Sequence, residues 1–133
     1  MKLLLDTNIC IYLIKQQPPA VLAHFLAYQP GDIGISTITL SELNYGVAKS
    51  RQVEKNAVAL DEFLIPLEIL PFDDAAAAAY GIIRSGLERA GTPIGAMDLM
   101  IAAHAVSLDV PLVTNNRREF DRVPGLQVLD WTT

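Results

Sequence analysis

The stretch that decides the fold is Met1-Lys2-Leu3-Leu4-Leu5-Asp6-Thr7-Asn8 at the start of the chain. Three leucines bounded by polar residues predict a short buried strand, and the run is too short to cross a membrane. Asp6 stands where this strand ends, just before an apolar run that begins at Ile9. In open α/β sheets, ligands bind beyond the carboxyl ends of the strands. Asp6 is therefore either the N-cap of the next helix or part of a ligand site.

Short apolar runs alternate with helical patterns along the rest of the chain. This alternation predicts the α/β class, with a central parallel sheet of four to five short strands flanked by helices. Strands are predicted at 2–5, 33–35, 67–70, 110–114 and 126–129. Helices are predicted at 9–15, 19–26, from Ser36 or Thr37 to about 50, 52–64, from Asp73 or Asp74 to the loop at 91–95, and 96–108.

Composition narrows the class of protein. The 133 residues are 51% apolar and 19% charged, which predicts one compact domain spanning residues 1–133. No apolar run approaches the ~20 residues of a membrane helix and no signal peptide is evident, so we expect a cytoplasmic protein. Cys10 is the only cysteine and there are two histidines, which argues against a disulfide and against zinc. Both Cys10 and His104 are predicted to be core residues.

Three further polar residues attract attention, and each has an ordinary structural explanation. Asp98 shares a helix face with apolar residues, or simply lies in a first turn where the helix dipole favours an acid. Glu42 lies within a helix, and could pair with Lys49 on the surface. Asn116 follows the strand 110–114, where a turn often places asparagine.

The joint placement of these residues is more informative than any one of them. Asp6 and Asn116 follow strands, Glu42 lies soon after another strand, and Asp98 opens a buried helix. All four could meet at the carboxyl edge of the sheet, where clustered carboxylates would repel each other unless a cation were bound. Oxygen ligands suit Mg²⁺ or Mn²⁺. Such a site is typical of phosphoryl transfer and phosphodiester hydrolysis.

The same residues lie in motifs that resemble the PIN-domain ribonucleases, and in particular the VapC-type toxins of bacterial toxin–antitoxin pairs. The motifs are Leu5-Asp6-Thr7-Asn8, Glu42, Pro93-Ile94-Gly95 before Met97-Asp98-Leu99-Met100-Ile101-Ala102, Thr114-Asn115-Asn116-Arg117-Arg118-Glu119-Phe120 and Val123-Pro124-Gly125-Leu126. Each motif alone is weak. Together, in order over nearly the whole chain, they are specific.

The resemblance implies a single PIN domain and a role for each site residue. Asp6 and Asp98 would be the principal Mg²⁺ ligands, with Mn²⁺ as a possible substitute. Glu42 would bind or orient metal and water, and it could serve as the general base. Asn116 would occupy a fourth position that is often Asp in the family, with Glu119 as a nearby acidic supplement. Because an amide carries no charge, we expect one firmly bound metal in the free protein, with a second arriving only with substrate, if at all.

The implied activity is hydrolysis of RNA phosphodiester bonds, commonly in structured RNA such as tRNA anticodon loops. It stops translation and is blocked by a cognate antitoxin, and members of the family form homodimers. The net charge of -5 is the wrong sign for an RNA-binding protein. Bound Mg²⁺ would offset part of it. Five arginines could flank the cleft: Arg84, Arg89, Arg117, Arg118 and Arg122. Alternatively, Arg118 and Arg122 pair with Glu119 and Asp121. Tyr12 or Tyr45 could contact unstacked bases if exposed.

Two rival interpretations remain at this point. A Mg²⁺-dependent phosphatase working through an aspartyl-phosphate would want a second Asp two residues after Asp6, where the chain has Asn8. A binding module without catalysis would use the carboxylates as helix caps. It would show neither binding of a divalent metal nor stabilisation by one.

Overall fold

A computed structural model describes residues 1–133 and contains one five-stranded sheet in the order β3-β2-β1-β4-β5. All neighbouring strands run parallel. The strands are β1 (Leu3–Leu5), β2 (Ile33–Ser36), β3 (Glu68–Leu70), β4 (Leu112–Val113) and β5 (Val128–Leu129). The predicted parallel sheet is confirmed, although β4 and β5 are shorter than the apolar runs that contain them.

Seven helices connect and cover these strands. They are α1 (Thr7–Lys15), α2 (Pro19–Leu26), α3 (Thr37–Ala48), α4 (Val53–Leu64), α5 (Asp74–Arg89), α6 (Ala96–Leu108) and α7 (Arg117–Phe120). The predicted bounds of α6 are confirmed, and α2 begins at Pro19, where proline suits a first turn. The single turn α7 was not predicted. None of the helices has the length and apolar character needed to cross a bilayer.

The leucines of β1 divide the core between the two faces of the sheet. Leu3 and Leu5 pack with α1–α4 on one face, together with the buried Cys10. Leu4 points to the other face, where it packs with α5, α6 and Phe120. Side chains alternate along a strand. An unbroken apolar run therefore serves both faces at once, and β1 is fixed from two sides.

The strand order places a switch point between β1 and β4. The chain moves outward from β1 to β2 and β3, then returns to add β4 on the opposite side of β1. At such a point the connections leave toward opposite faces and open a crevice at the carboxyl ends of the strands. Asp6 follows β1, and Thr114, Asn115 and Asn116 follow β4. The fold therefore brings the start and the end of the chain together at this crevice.

We expect Gly34→Ala to destabilise the protein by about 1–3 kcal/mol, because it overpacks the sheet. A Cβ atom at Gly34 would lie 2.8 Å from Leu70 Cδ1 and 3.1 Å from the Glu68 carbonyl oxygen. Gly81→Ala is the control, since nothing lies within 4 Å of its Cβ position on α5. That change should stabilise the helix by about 0.5–1 kcal/mol. Urea unfolding measures both, and equal effects would contradict this account of Gly34.

Candidate active site

Asp6 is both a helix cap and part of a polar cluster. Its Oδ1 accepts a 2.9 Å hydrogen bond from the backbone N–H of Ile9, which caps α1. Its Oδ2 accepts a hydrogen bond from the Thr114 hydroxyl at the end of β4. Asp6 is only 4% exposed, and Thr114 is fully buried. The two alternatives left open by the sequence are therefore compatible, since one oxygen caps and the other faces the crevice between β1 and β4.

Glu42 is fixed by α1. The Thr7 hydroxyl donates a hydrogen bond to Glu42 Oε1, joining the first turn of α1 to the second turn of α3. The alternative surface pair with Lys49 is absent, since the Lys49 ammonium lies 4.8 Å from the centre of the Tyr45 ring instead. Glu42 is therefore held at the crevice.

Asp98 lies in the first turn of α6 and forms a carboxyl–carboxylate hydrogen bond with Glu119. Glu119 is further fixed by the Asn116 side-chain amide at 3.1 Å and by the Gly95 N–H at 3.4 Å. The resemblance to PIN-domain ribonucleases implied only a supplementary role for Glu119. The structure puts it in direct contact with Asp98, because α7 brings residue 119 back over the start of α6.

Asn116 lies in the same cluster, and its amide nitrogen is used to hold Glu119. Its backbone N–H donates to Thr114 Oγ1 at 3.0 Å, while that hydroxyl donates to Asp6. A continuous chain of hydrogen bonds thus runs from Asp6 through Thr114 and Asn116 to Glu119 and Asp98. Thr114 and Thr7 were not singled out from the sequence. A hydroxyl directly after a buried strand, and another after the strand-end Asp, are the signals that could have found them.

The carboxylates lie close enough to perturb one another. Burial raises the pKa of Asp6 from its ordinary 3.8 to about 6, while the hydrogen bond from Thr114 lowers it and the charge of Glu42 raises it. The pKa of Asp98 is raised to about 7, and burial is the largest cause. The hydrogen bond with Glu119, the charge of Glu119 and the charges of Asp6 and Glu42 raise it further. The hydrogen bond from Asp98 lowers the pKa of Glu119. This concentration of negative charge favours a proton or a cation in the crevice.

The donor set fits a hard divalent cation. All the groups are carboxylate, amide or hydroxyl oxygens, and Mg²⁺ is commonly bound through one or two carboxylates plus waters and substrate phosphates. No three acidic, histidine or cysteine side chains converge closely enough to enclose an ion. The arrangement therefore suits a cation that keeps most of its water, with Asp6 and Asp98 as the candidate ligands.

His104 connects the helices that carry two of these acids. Its Nδ1 lies 2.8 Å from the hydroxyl of Ser36, the residue that caps α3. The ring is 1% exposed and packs edge-on against Phe72. Burial lowers the pKa of His104, which favours the neutral ring. The prediction of a hydrogen-bonded core histidine is confirmed.

The arginines make contacts that differ from the surface ion pairs considered in the sequence analysis. Arg117, rather than Arg118 or Arg122, pairs with Asp121 at 3.3 Å. Arg122 donates to the carbonyl oxygen of Pro93 at 2.8 Å, next to the loop before α6. Arg84 and Arg89 bond within α5, to Tyr80, Glu88 and Ser85. Arg118 is exposed and makes no ion pair. The alternative pairing of Arg118 and Arg122 with Glu119 and Asp121 is wrong in its partners.

Comparison with known proteins places this geometry among characterised relatives. The PIN domain family matches residues 3–126. The chain is 46% identical over 132 residues to the tRNA(fMet)-specific endonuclease VapC of Shigella flexneri, covering 99% of both chains. It is 44% identical to ribonuclease VapC2 of Rickettsia felis, covering 96% of both. The crystal structure of DNA-bound VapBC from Salmonella typhimurium superposes with a TM-score of 0.93 at 45% identity, covering 98% of both chains.

Proposed function

Since the chain belongs to the PIN-domain family and is a VapC-type ribonuclease, we propose that it is a Mg²⁺-dependent endoribonuclease that cleaves structured RNA. The observation that carries the proposal is the placement of Asp6, Glu42 and Asp98 around the crevice between β1 and β4, where burial and neighbouring charges raise the pKa values of Asp6 and Asp98 to about 6 and about 7. Mn²⁺ is the expected substitute ion.

The proposed roles follow from the contacts. Asp6 and Asp98 hold the ion, which when bound would supply Lewis-acid stabilisation of the charge that develops on the phosphate. Glu42 orients the attacking water and accepts its proton, and the Thr7 hydroxyl fixes Glu42 for that task. Asn116 acts through Glu119, which it orients toward Asp98. We propose one firmly held ion, with any second ion arriving only with the substrate.

Transfer RNA is the proposed substrate, with cleavage in the anticodon loop and arrest of translation as the consequence. The support comes from relatives whose name includes tRNA(fMet), at 45–46% identity over nearly the whole chain. The cytoplasm, where tRNA functions, is the proposed compartment.

A cognate antitoxin is the proposed partner, because the structural relatives were solved as VapBC toxin–antitoxin complexes. One surface of the chain suits such a partner. A mainly apolar groove of about 290 Å³ lies between α1, α3 and α4, and Glu42 forms part of its wall. A partner seated there would cover the cleft. We also propose a homodimer, which light scattering of the purified chain would test.

Incubation with total tRNA tests the activity. Purified protein is expected to give discrete fragments with Mg²⁺ or Mn²⁺, no fragments with EDTA, and none from the Asp6→Asn, Asp98→Asn double variant. Phosphate release from a small ester without RNA cleavage would support the rival phosphatase. Inertness together with no metal-induced change in melting would leave a binding module.

Metal binding should also appear as stability that depends on pH. Between about pH 4 and pH 7 the folded protein retains protons on Asp6 and Asp98 that the unfolded chain has released. The metal-free protein is therefore expected to lose stability as pH rises through this window, by about 3 kcal/mol for Asp6 alone. Mg²⁺ binds the deprotonated form, so it should raise the Tm more at about pH 8 than at about pH 5.

Thermal melting in EDTA and in Mg²⁺ measures this effect. A saturating ion, at about 100 times its Kd, stabilises the fold by about 2.7 kcal/mol. The Asp6→Asn, Asp98→Asn variant should show neither the pH trend nor the Mg²⁺ shift. An equal Mg²⁺ shift in that variant would place the ion elsewhere.

A further inference from the structure

An open pocket beside the crevice has no part in the chemistry described above. It has a volume of about 780 Å³ and is bounded by the end of α1, the turn before α2 and the residue after Thr114. Its lining combines the apolar surfaces of Pro18, Pro19 and the Tyr12 ring with a few polar groups. The residues that carry the argument are Tyr12, Lys15 and Asn115.

Asn115 is the link between this pocket and the candidate active site. It lies between Thr114, which donates to Asp6, and Asn116, which donates to Glu119. Its side-chain Nδ2 donates to the Tyr12 hydroxyl oxygen at 3.0 Å. Its Oδ1 is buried and has no hydrogen-bond partner. Exchanging the amide oxygen and nitrogen would only transfer the deficit to the nitrogen, because the Tyr12 hydroxyl can satisfy one of the two.

A buried acceptor without a donor is costly, and such groups are uncommon in folded proteins. Turning the amide toward a ligand in the pocket would exchange its bond to Tyr12 for bonds to the ligand, and it would give the amide oxygen the donor that it lacks. The Tyr12 hydroxyl also has an unused hydrogen-bonding group. It accepts from Asn115, which leaves its own hydrogen available for an acceptor on a ligand.

The charge of the pocket is opposite to that of the whole chain. Lys15 is its only charged lining residue, and no salt bridge occupies it. The chain carries a net charge of -5, so a pocket lined by one unpaired lysine and no carboxylate differs in charge from the protein as a whole. A cation, a free hydroxyl donor and an unsatisfied amide together suit a ligand that carries both a phosphate and a ring with hydrogen-bonding groups.

We propose that this pocket binds one unpaired nucleotide of the RNA substrate, next to the scissile phosphate. The nucleotide's phosphate contacts the Lys15 ammonium and the Tyr12 hydroxyl. The Asn115 amide pairs with the base edge, its oxygen accepting from one group of the base and its nitrogen donating to the neighbouring group. Adenine, cytosine and uracil each present an adjacent donor and acceptor on the Watson–Crick edge, so the amide holds the base without selecting among them. This inference rests on the proposed RNA-cleaving function and adds the substrate subsite.

Binding of labelled RNA in an Asp98→Asn background separates this subsite from catalysis. The probes are oligomers of about ten nucleotides of adenylate, cytidylate or uridylate, a length within the range of single-strand binding sites. Lys15→Gln should weaken binding of all three and lower the salt slope by about one. Lys55→Gln is the matched control, since Lys55 is an exposed lysine on α4 outside the pocket, and it should leave both unchanged.

Tyr12→Phe and Asn115→Ala test the two hydrogen-bonding groups. Tyr12→Phe should weaken binding about fivefold to tenfold with the salt slope unchanged, as the loss of one hydrogen bond predicts. Asn115→Ala should weaken binding of all three probes by a similar factor, with the salt slope unchanged and the Tm unchanged or raised. If Asn115 were purely structural, its loss would lower the Tm and leave the affinity for RNA unchanged.

The outcomes separate this inference from the function on which it rests. If the parent protein cleaves tRNA but all three variants match Lys55→Gln, the subsite is wrong and the nuclease stands. If the parent protein neither binds nor cleaves RNA, both are overturned. Unchanged affinity in Asn115→Ala alone would refute the proposed contact between Asn115 and the base.

Discussion

Asp98→Asn is expected to lower RNA cleavage by about 10³-fold or more while making the metal-free protein more stable at neutral pH. The activity falls because a neutral amide replaces a proposed ligand of the ion. Burial and neighbouring acids raise the pKa of Asp98, so its charged carboxylate is unfavourable in the folded state above about pH 7. The uncharged asparagine avoids this cost, and the stability therefore rises. Opposite changes in activity and stability are typical of residues kept for function. Tm in EDTA and the initial rate of tRNA cleavage measure the two effects.

Asp109→Asn is the matched control, because it makes the same chemical change at the other end of the same helix. Asp109 is the exposed C-cap of α6 and has a left-handed backbone with φ 54. Asparagine tolerates that conformation. The control should retain the rate and the metal dependence of the parent protein. Comparable losses in both variants would mean that Asp98 acts through the integrity of α6 and has no specific role at the ion.

The sequence predicted most of the scaffold because its signals are local. Three leucines between polar residues suffice for β1, and the apolar run from Ala96 to Leu108 suffices for α6. The convergence of Asp6 and Asp98 could also be anticipated, since parallel strands share a carboxyl edge. Local patterns cannot give a distance between residues 92 positions apart, so their mutual effect on pKa required the structure.

The parts that escaped prediction depend on short elements and on single hydroxyl groups. The helix α7 has four residues, too few for a periodic pattern, and it determines that Glu119 contacts Asp98. Thr114 looks like an ordinary strand residue in the sequence. Its importance comes from the two groups that its one hydroxyl joins. The unsatisfied oxygen of Asn115 is likewise a property of tertiary packing and leaves no trace in composition or spacing.

Thr114→Val is expected to lower RNA cleavage by about 10–100-fold, the usual effect of removing a group that orients a metal ligand, because Thr114 bonds to the proposed ligand Asp6. Valine has nearly the same shape as threonine but lacks the hydroxyl that donates to Asp6 and accepts from the Asn116 N–H. The hydrogen bond from Thr114 lowers the pKa of Asp6, so its loss should raise that pKa further above 6. More of the Asp6 carboxyl is then protonated at neutral pH, and activity should recover partly as the pH or the Mg²⁺ concentration is raised.

Two companion variants decide whether the hydroxyl of Thr114 has this role. Thr114→Ser keeps the donor and should restore most of the activity. Thr39→Val makes the same change at another fully buried threonine, whose hydroxyl has no hydrogen-bond partner, and it should be neutral or slightly stabilising with normal cleavage. Because Thr39 lies on α3, one turn before Glu42, this variant also tests whether loss of any buried threonine hydroxyl near the site lowers RNA cleavage. A normal rate in Thr114→Val, or a defect in Thr114→Ser as large as that in the valine variant, would contradict the role assigned to the hydroxyl. Suppose that Thr114→Val loses activity and partly regains it as the pH is raised, while Thr39→Val cleaves RNA normally. Thr114, at the end of β4, would then be shown to control the charge of Asp6, at the end of β1.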